Sequence, residues 1–220
     1  MYIILNFKTY PEASGEAALN LAGIVAQTVV PENVDLIICP QATDIFRIRE
    51  QFPEVAIWAQ HVDPIDAGKN TGWTSAVSLI MAGANGTLVN HSEHPLEESD
   101  TLKVIEITER YQLTSCLCVP NLTAAQALMQ YEPDMFAFEP PELISSGVSL
   151  VDTDPQSAQE FVTAMRPTGA KLILGAGVSD PQDLKTAKDL GFDGVLLASA
   201  FVKSSDPAKL LADLIAAFAS

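Results

Sequence analysis

The sequence predicts an α/β protein folded as a closed (β/α)8 barrel, and three observations carry that reading. Eight short apolar runs alternate with longer amphipathic stretches. The runs are continuously apolar rather than strictly alternating, as suits strands buried on both faces of a parallel sheet. A glycine-rich turn, GAGVSD at 175–180, follows the seventh run instead of the first. The third point separates two architectures. An open dinucleotide-binding sheet carries G-x-G-x-x-G after an early strand, and no such motif occurs here. Barrels often seat a phosphate on the loops after their last two strands.

Taken in order, the first run is YIILNF (2–7), followed by a helical stretch over 15–28 with Leu19, Ala22, Ile24 and Val25 near one stripe. The runs VDLIICP (34–40), VAIWAQ (55–60) and GTLVN (86–90) come next. A helix over 99–110 starts at the cap-like pair Ser99-Asp100 and carries Leu102, Ile105 and Ile107. After TSCLCV (114–119) and DMFAFE (134–139), Asp154-Pro155 opens a helix over 155–166, a cap followed by proline at the first helical position. KLILG (171–175) leads to Ser179-Asp180-Pro181, which repeats that signature before 181–190, where Gly191 ends the helix. The last run, DGVLLAS (193–199), precedes a third such start at Asp206-Pro207 and a helix over 207–218. The connections read as short, with no linker or shift in composition. Residues 1–220 therefore read as a single barrel domain, short for its class, with some helices trimmed.

Charge narrows the partners. Twelve Lys and Arg against 28 Asp and Glu give a formal net charge of −16. That argues against general binding to nucleic acid or to an anionic membrane, while one or two local cations still suffice for a small anionic substrate. No run reaches the ~18 apolar residues of a membrane span, and the polar break in MYIILNFK comes too early for a signal peptide. Cys39, Cys116 and Cys118 sit in or beside apolar runs and read as buried free thiols of a reducing cytoplasm. The CLC spacing has no second Cys or His cluster beside it, which excludes zinc. Nothing points to a metal, nucleotide or covalent cofactor.

In a barrel the chemistry gathers where strands end. The first run ends with Asn6 and Lys8, the third with Gln60 and His61, the fourth with Asn90, His91, Ser92 and Glu93, and the sixth with Glu139. Taken alone, Lys8 reads as an exposed strand-end lysine and His91 as a capping or satisfied histidine. His61 and His94 read as structural or surface residues. Glu139 is harder to explain that way, because an acid closing the run MFAF risks desolvation. Together, an ammonium, an imidazole and a carboxylate at one mouth suit proton transfer beside a carbonyl.

NFK near the start, NHSE in the middle, EPPELI later, then GAG and GVLLAS resemble the triosephosphate isomerase family, in that order and over essentially the whole chain. The short length and the wording EPPELI resemble its archaeal-type branch. The resemblance implies the TIM-barrel fold and the interconversion of dihydroxyacetone phosphate and glyceraldehyde 3-phosphate in glycolysis and gluconeogenesis. It makes Glu139 the base, His91 a neutral polariser kept so by the helix start after it, and Lys8 the cation. Asn6 supports that end, and Glu93 stands beside Lys8. Residues 140 to 147 become a lid. The substrate is bound by Asn6, Lys8, Ile144, Ser145, Ser146, Gly177, Ala198, Ser199 and Ala200. TGW at 71–73 places Thr71 at a neighbouring subunit's site, which implies a homodimer or tetramer in the cytoplasm.

Two departures stand out. Ser145 and Ala200 occupy places where the family has glycine. A Cβ at φ > 0 costs roughly 1 kcal/mol, so a modest rise in KM is expected, although the Ser145 hydroxyl is an alternative phosphate donor. A barrel that binds a sugar phosphate with weak or no turnover is the second reading. An interaction protein is the third, and it has no use for lysine, histidine and glutamate at three strand ends.

Overall fold

A computed structural model describes residues 1–140 and 153–219. Eight parallel strands close into a barrel in sequence order: β1 (Tyr2–Asn6), β2 (Asp35–Cys39), β3 (Ala56–Ala59), β4 (Gly86–Val89), β5 (Thr114–Val119), β6 (Met135–Phe138), β7 (Lys171–Leu174) and β8 (Gly194–Leu197). Closure comes from β1 pairing with β8, Tyr2 opposite Gly194 through Leu5 opposite Leu197.

The continuous apolar runs follow from two cores. Side chains alternate across a strand, so one set points into the barrel and the next points at the helices. Ile4, Ile37, Trp58, Leu88, Met135, Ile173 and Leu196 fill the interior together with all three cysteines. Ile3, Leu5, Ile38, Ile57, Leu117, Phe136 and Val195 face the helical layer. Both faces are dry, and the buried strand hydroxyls of Thr87 and Ser115 each donate to a hydrogen-bond acceptor, Thr87 to the Leu88 carbonyl and Ser115 to Asp134 Oδ2. The thiols are free and buried, as their place in apolar runs suggests. Gly86 makes room for the interior tryptophan: a Cβ there would stand 2.5 Å from the Trp58 indole nitrogen.

The helices are α1 (Glu16–Gln27), α2 (Ala42–Gln51), α3 (Ala76–Ala82), α4 (Glu98–Tyr111), α5 (Leu122–Leu128), α6 (Pro155–Met165), α7 (Pro181–Leu190), α8 (Ser199–Val202) and α9 (Pro207–Ala219) among the described residues. The aspartate-proline starts hold. Asp154 accepts from the Ser157 N–H, Asp180 forms a capping box with Asp183, and Asp206 accepts from the Lys209 N–H. Gly191 ends α7 in the left-handed region at φ 95°.

Three expectations need correction, and three helices went unread. Ser99-Asp100 is not the cap of α4. Glu97 is, without a side-chain hydrogen bond, and the acidic first turn of Glu98 and Asp100 complements the helix dipole instead. Ser199 does not end a strand; it opens α8. The helices α2, α3 and α5 escaped the periodicity because they are short or highly charged, although the Ser75 and Asn121 caps marked two of them. Finally, the β3–α3 connection runs through 60–75 and is not short. The Asp63 carboxylate accepts the Thr74 N–H at 2.6 Å, and the Asp63 N–H donates to the Thr74 carbonyl, so the excursion is closed at its base.

One aromatic ladder bears on the site. Phe161 of α6 stacks on Phe138 at 4.4 Å between centroids and on Phe192 at 6.3 Å. Each such contact contributes ~0.5–1.5 kcal/mol beyond area burial. It fixes the end of β6, where the next residue is Glu139.

Candidate active site

The polar residues expected at strand ends do meet at the carboxyl mouth of the barrel. Asn6 is the last residue of β1, and Lys8, Gln60, His91 and Glu139 sit just past their strands, where the ladder ends. Lys8 leaves β1 in the left-handed region at φ 47°, a strained position for a residue with a Cβ. Two contacts hold it there. Its N–H donates to Asn6 Oδ1 at 2.9 Å, and its carbonyl accepts from Gln60 Nε2 at 2.9 Å. The Gln60 amide also donates to the Cys39 carbonyl at 2.9 Å, tying the ends of β1 and β2 together. The Lys8 ammonium is nearly buried and meets Glu93 Oε1 at 2.6 Å, while Glu93 remains half exposed.

His91 follows Asn90, which is also left-handed at φ 57° and bonded through its side chain to the Leu96 N–H and the Cys118 carbonyl. The expected helix start after His91 is absent, since α4 begins only at Glu98. A turn replaces it. Its Glu93 N–H donates to His91 Nδ1 at 3.1 Å. That bond leaves Nδ1 unprotonated and makes Nε2 the N–H, which faces Glu139 Oε1 at 3.7 Å. Burial, then the Lys8 charge, lowers the imidazole to about 4 against the smaller opposing pull of Glu93. His91 is therefore neutral near pH 7.

Glu139 is 1% exposed. Burial raises its carboxyl to about 8, while the Cys118 thiol beside it and the Lys8 charge act in the opposite direction. Neither of its oxygens has a hydrogen-bond partner of normal geometry among the described residues. The thiol thus approaches without completing a bond. A buried carboxylate left unpartnered costs stability. Gly175, after β7, gives it room: a Cβ there would lie 2.5 Å from Glu139 Cγ and 2.9 Å from Oε1.

Lys8 and His91 line a cavity of ≈ 280 Å³ with Gly177, Ser199, Ala200 and Lys203. Ala198 lines it too. Gly177 is left-handed at φ 71°, but Ala200 is not. Ala200 lies inside α8, so its Cβ carries none of the φ > 0 strain expected of it. Ile144, Ser145 and Ser146, with all of the expected lid beyond Pro140, lie outside the described residues. Thr71 lines neither this cavity nor its neighbour. It stands exposed with Trp73 (55% exposed) on the 60–75 excursion. His61 stacks on His94 at 4.0 Å and meets Asp63 at 3.1 Å, beside the site and outside its reactive trio.

Gly175, Gln60 and Lys203 are the residues the sequence undervalued. Gln60 was visible at a strand end. Gly175 was visible as the first residue of the GAG motif, though its role beside Glu139 was not, and Lys203 gave no signal beyond ordinary surface composition.

A sequence model described as triosephosphate isomerase matches residues 1–217. A triosephosphate isomerase of Methanobrevibacter smithii is 40% identical over 215 residues, covering 97% of this chain and 96% of that one. Those of Methanosarcina acetivorans (37% over 216 residues, 97% of each chain) and Methanobacterium bryantii (39% over 215 residues, 97% of this chain and 95% of that one) are similar over the same span.

Proposed function

The chain belongs to the triosephosphate isomerase family, and from this membership we propose that Glu139, His91 and Lys8 carry the interconversion of dihydroxyacetone phosphate and glyceraldehyde 3-phosphate. The observation that carries the assignment is Glu139 itself: a buried carboxylate without a hydrogen bond among the described residues, 3.7 Å from the imidazole nitrogen that bears the proton. A barrel that only bound a ligand has no need of that costly arrangement.

The acid–base assignment follows the one long established for this family. Ionised Glu139 takes the proton from C1 and returns it to C2. Neutral His91 donates from Nε2–H to the carbonyl oxygen as negative charge develops there. Lys8, held by Asn6 and Glu93, stabilises the enediolate and the phosphate. A poorly hydrated carboxylate is a stronger base than one in water, which supports burial as part of the chemistry. The phosphate rests at the Gly177, Ala198, Ser199 and Ala200 end. The reaction is a step of glycolysis and gluconeogenesis in the cytoplasm, run by one barrel domain over residues 1–220.

The same reading makes the enzyme a homo-oligomer, dimer or tetramer. A cavity of ≈ 420 Å³ lined by Asn6, Lys8, Tyr10, Gln60, Glu93 and His94 opens beside the site. In this reading the exposed Thr71 tip of a second copy enters it. Sedimentation showing a fully active monomer would refute this part.

A coupled assay with both triose phosphates, run on the parent with Glu139→Asp and Glu139→Gln, tests the base. Turnover should fall at least ~100-fold in both variants. A fully active Glu139→Gln enzyme would reject the assignment.

A further inference from the structure

A second lysine stands over the phosphate end of the site. Lys203 closes α8, where its N–H donates to the Ser199 carbonyl at 2.9 Å. Its ammonium lies 4.1 Å from the centroid of the Tyr10 ring. Lys203 lines the ≈ 280 Å³ cavity together with Lys8, and these are the two cations of its lining. Tyr10 comes from the loop after β1, Lys203 from the end of the turn after β8. The stack of Phe7 on Phe201, 6.3 Å between centroids, joins the same two segments beneath them. The ring contact therefore rests on a fixed base.

The chemistry of the substrate gives this cation a task. A phosphate monoester carries close to two negative charges near neutral pH. Lys8 is already engaged with Glu93 at 2.6 Å. The chain as a whole carries a net charge of −16, a field that repels anions unless local charge reverses it at the mouth. A lysine stem is flexible, and an aromatic face that holds its ammonium near the mouth reduces the freedom lost when it meets an anion.

We propose that Lys203, steadied on Tyr10, is a second phosphate-binding cation that recruits the substrate without taking part in proton transfer. This rests on the phosphate lying at the Gly177–Ser199 end, as set out above.

The test separates affinity from chemistry. In Lys203→Met, KM for both triose phosphates and Ki for inorganic phosphate should rise about tenfold, with kcat changed less than about twofold. Turnover of D-glyceraldehyde, which lacks the phosphate, should stay at the parent level. Lys203→Arg should remain within about threefold of the parent, and Tyr10→Leu should show part of the Lys203→Met effect while Tyr10→Phe shows none. Lys203 is exposed, so loss of fold is not the expected result of its replacement. A phosphate Ki within about twofold of the parent in Lys203→Met would overturn the proposal. Gly177→Ala distinguishes the two levels of failure. If it raises Ki while Lys203→Met does not, the loops hold the phosphate and Lys203 has no part in it. If neither variant moves Ki, the phosphate lies elsewhere and both readings fall.

Discussion

Replacing Gly175 by alanine should disable the enzyme through one methyl group. The added Cβ would stand 2.5 Å from Glu139 Cγ, 2.9 Å from Oε1 and 3.2 Å from Cδ. An ordinary carbon contact is ~3.5 Å or more, so the carboxylate has to retreat by about 1 Å. Gly175 is not among the residues at positive φ, so the change adds no backbone strain and the clash is its whole cost. Overpacking of this kind destabilises a fold by ~1–3 kcal/mol. The larger effect falls on chemistry, because a 1 Å misplacement of a reacting group costs about 100-fold in rate. Steady-state kinetics should show kcat down by about that factor with KM changed little, since the methyl group points at the base. Thermal unfolding should confirm that the variant is folded. A folded Gly175→Ala enzyme with kcat within about threefold of the parent would refute the placement of Glu139 as the working base.

Four other outcomes follow from the same geometry. With the Glu139 carboxyl raised from 4.5 to about 8 by burial, log kcat/KM should fall by about one per pH unit below that value. The ionised form is the destabilising one in the fold, and its penalty is absent below about pH 4.5 and complete above about 8. Glu139→Gln should therefore gain thermal stability over the parent as pH rises through that window, and equal melting curves at pH 9 would contradict the burial argument. Asn6→Ala removes the acceptor that holds the Lys8 N–H at 2.9 Å in a strained backbone. Denaturant unfolding should show a loss of ~1–2 kcal/mol, accompanied by a higher KM. Ala200→Gly should bring no gain in phosphate affinity and a loss of ~0.5–1 kcal/mol, because the position is helical and glycine is the poorer residue there.

The sequence displayed the fold because each strand had to satisfy two dry faces. Runs such as YIILNF and MFAF are uninterrupted for that reason, and polar residues gather where a run stops or, like Thr87 and Ser115, carry their own hydrogen-bond partner. Asn6, Lys8, His91 and Glu139 were legible as a group for the same reason. The strong helix starts were legible because aspartate followed by proline is a local signal complete within two residues. The cap of α4 misled because Ser99 offered a side chain that the helix, starting at Glu98, did not use.

What lay beyond the sequence depends on distant segments meeting. Lys8 and Glu93 are 85 positions apart and touch at 2.6 Å only because the barrel brings β1 and β4 to one mouth. The state of His91 is decided by a turn N–H and by burial, and no helix start is there to do it. Gly175 matters through the width of the gap to Glu139, and Lys203 through the ring it rests on from the opposite end of the chain. Residue type and local pattern determined which elements form and which groups stand at their ends. Barrel closure alone decided the distances between those groups, and with them the protonation states, because Coulomb energy and desolvation depend on spatial neighbours and not on neighbours in sequence.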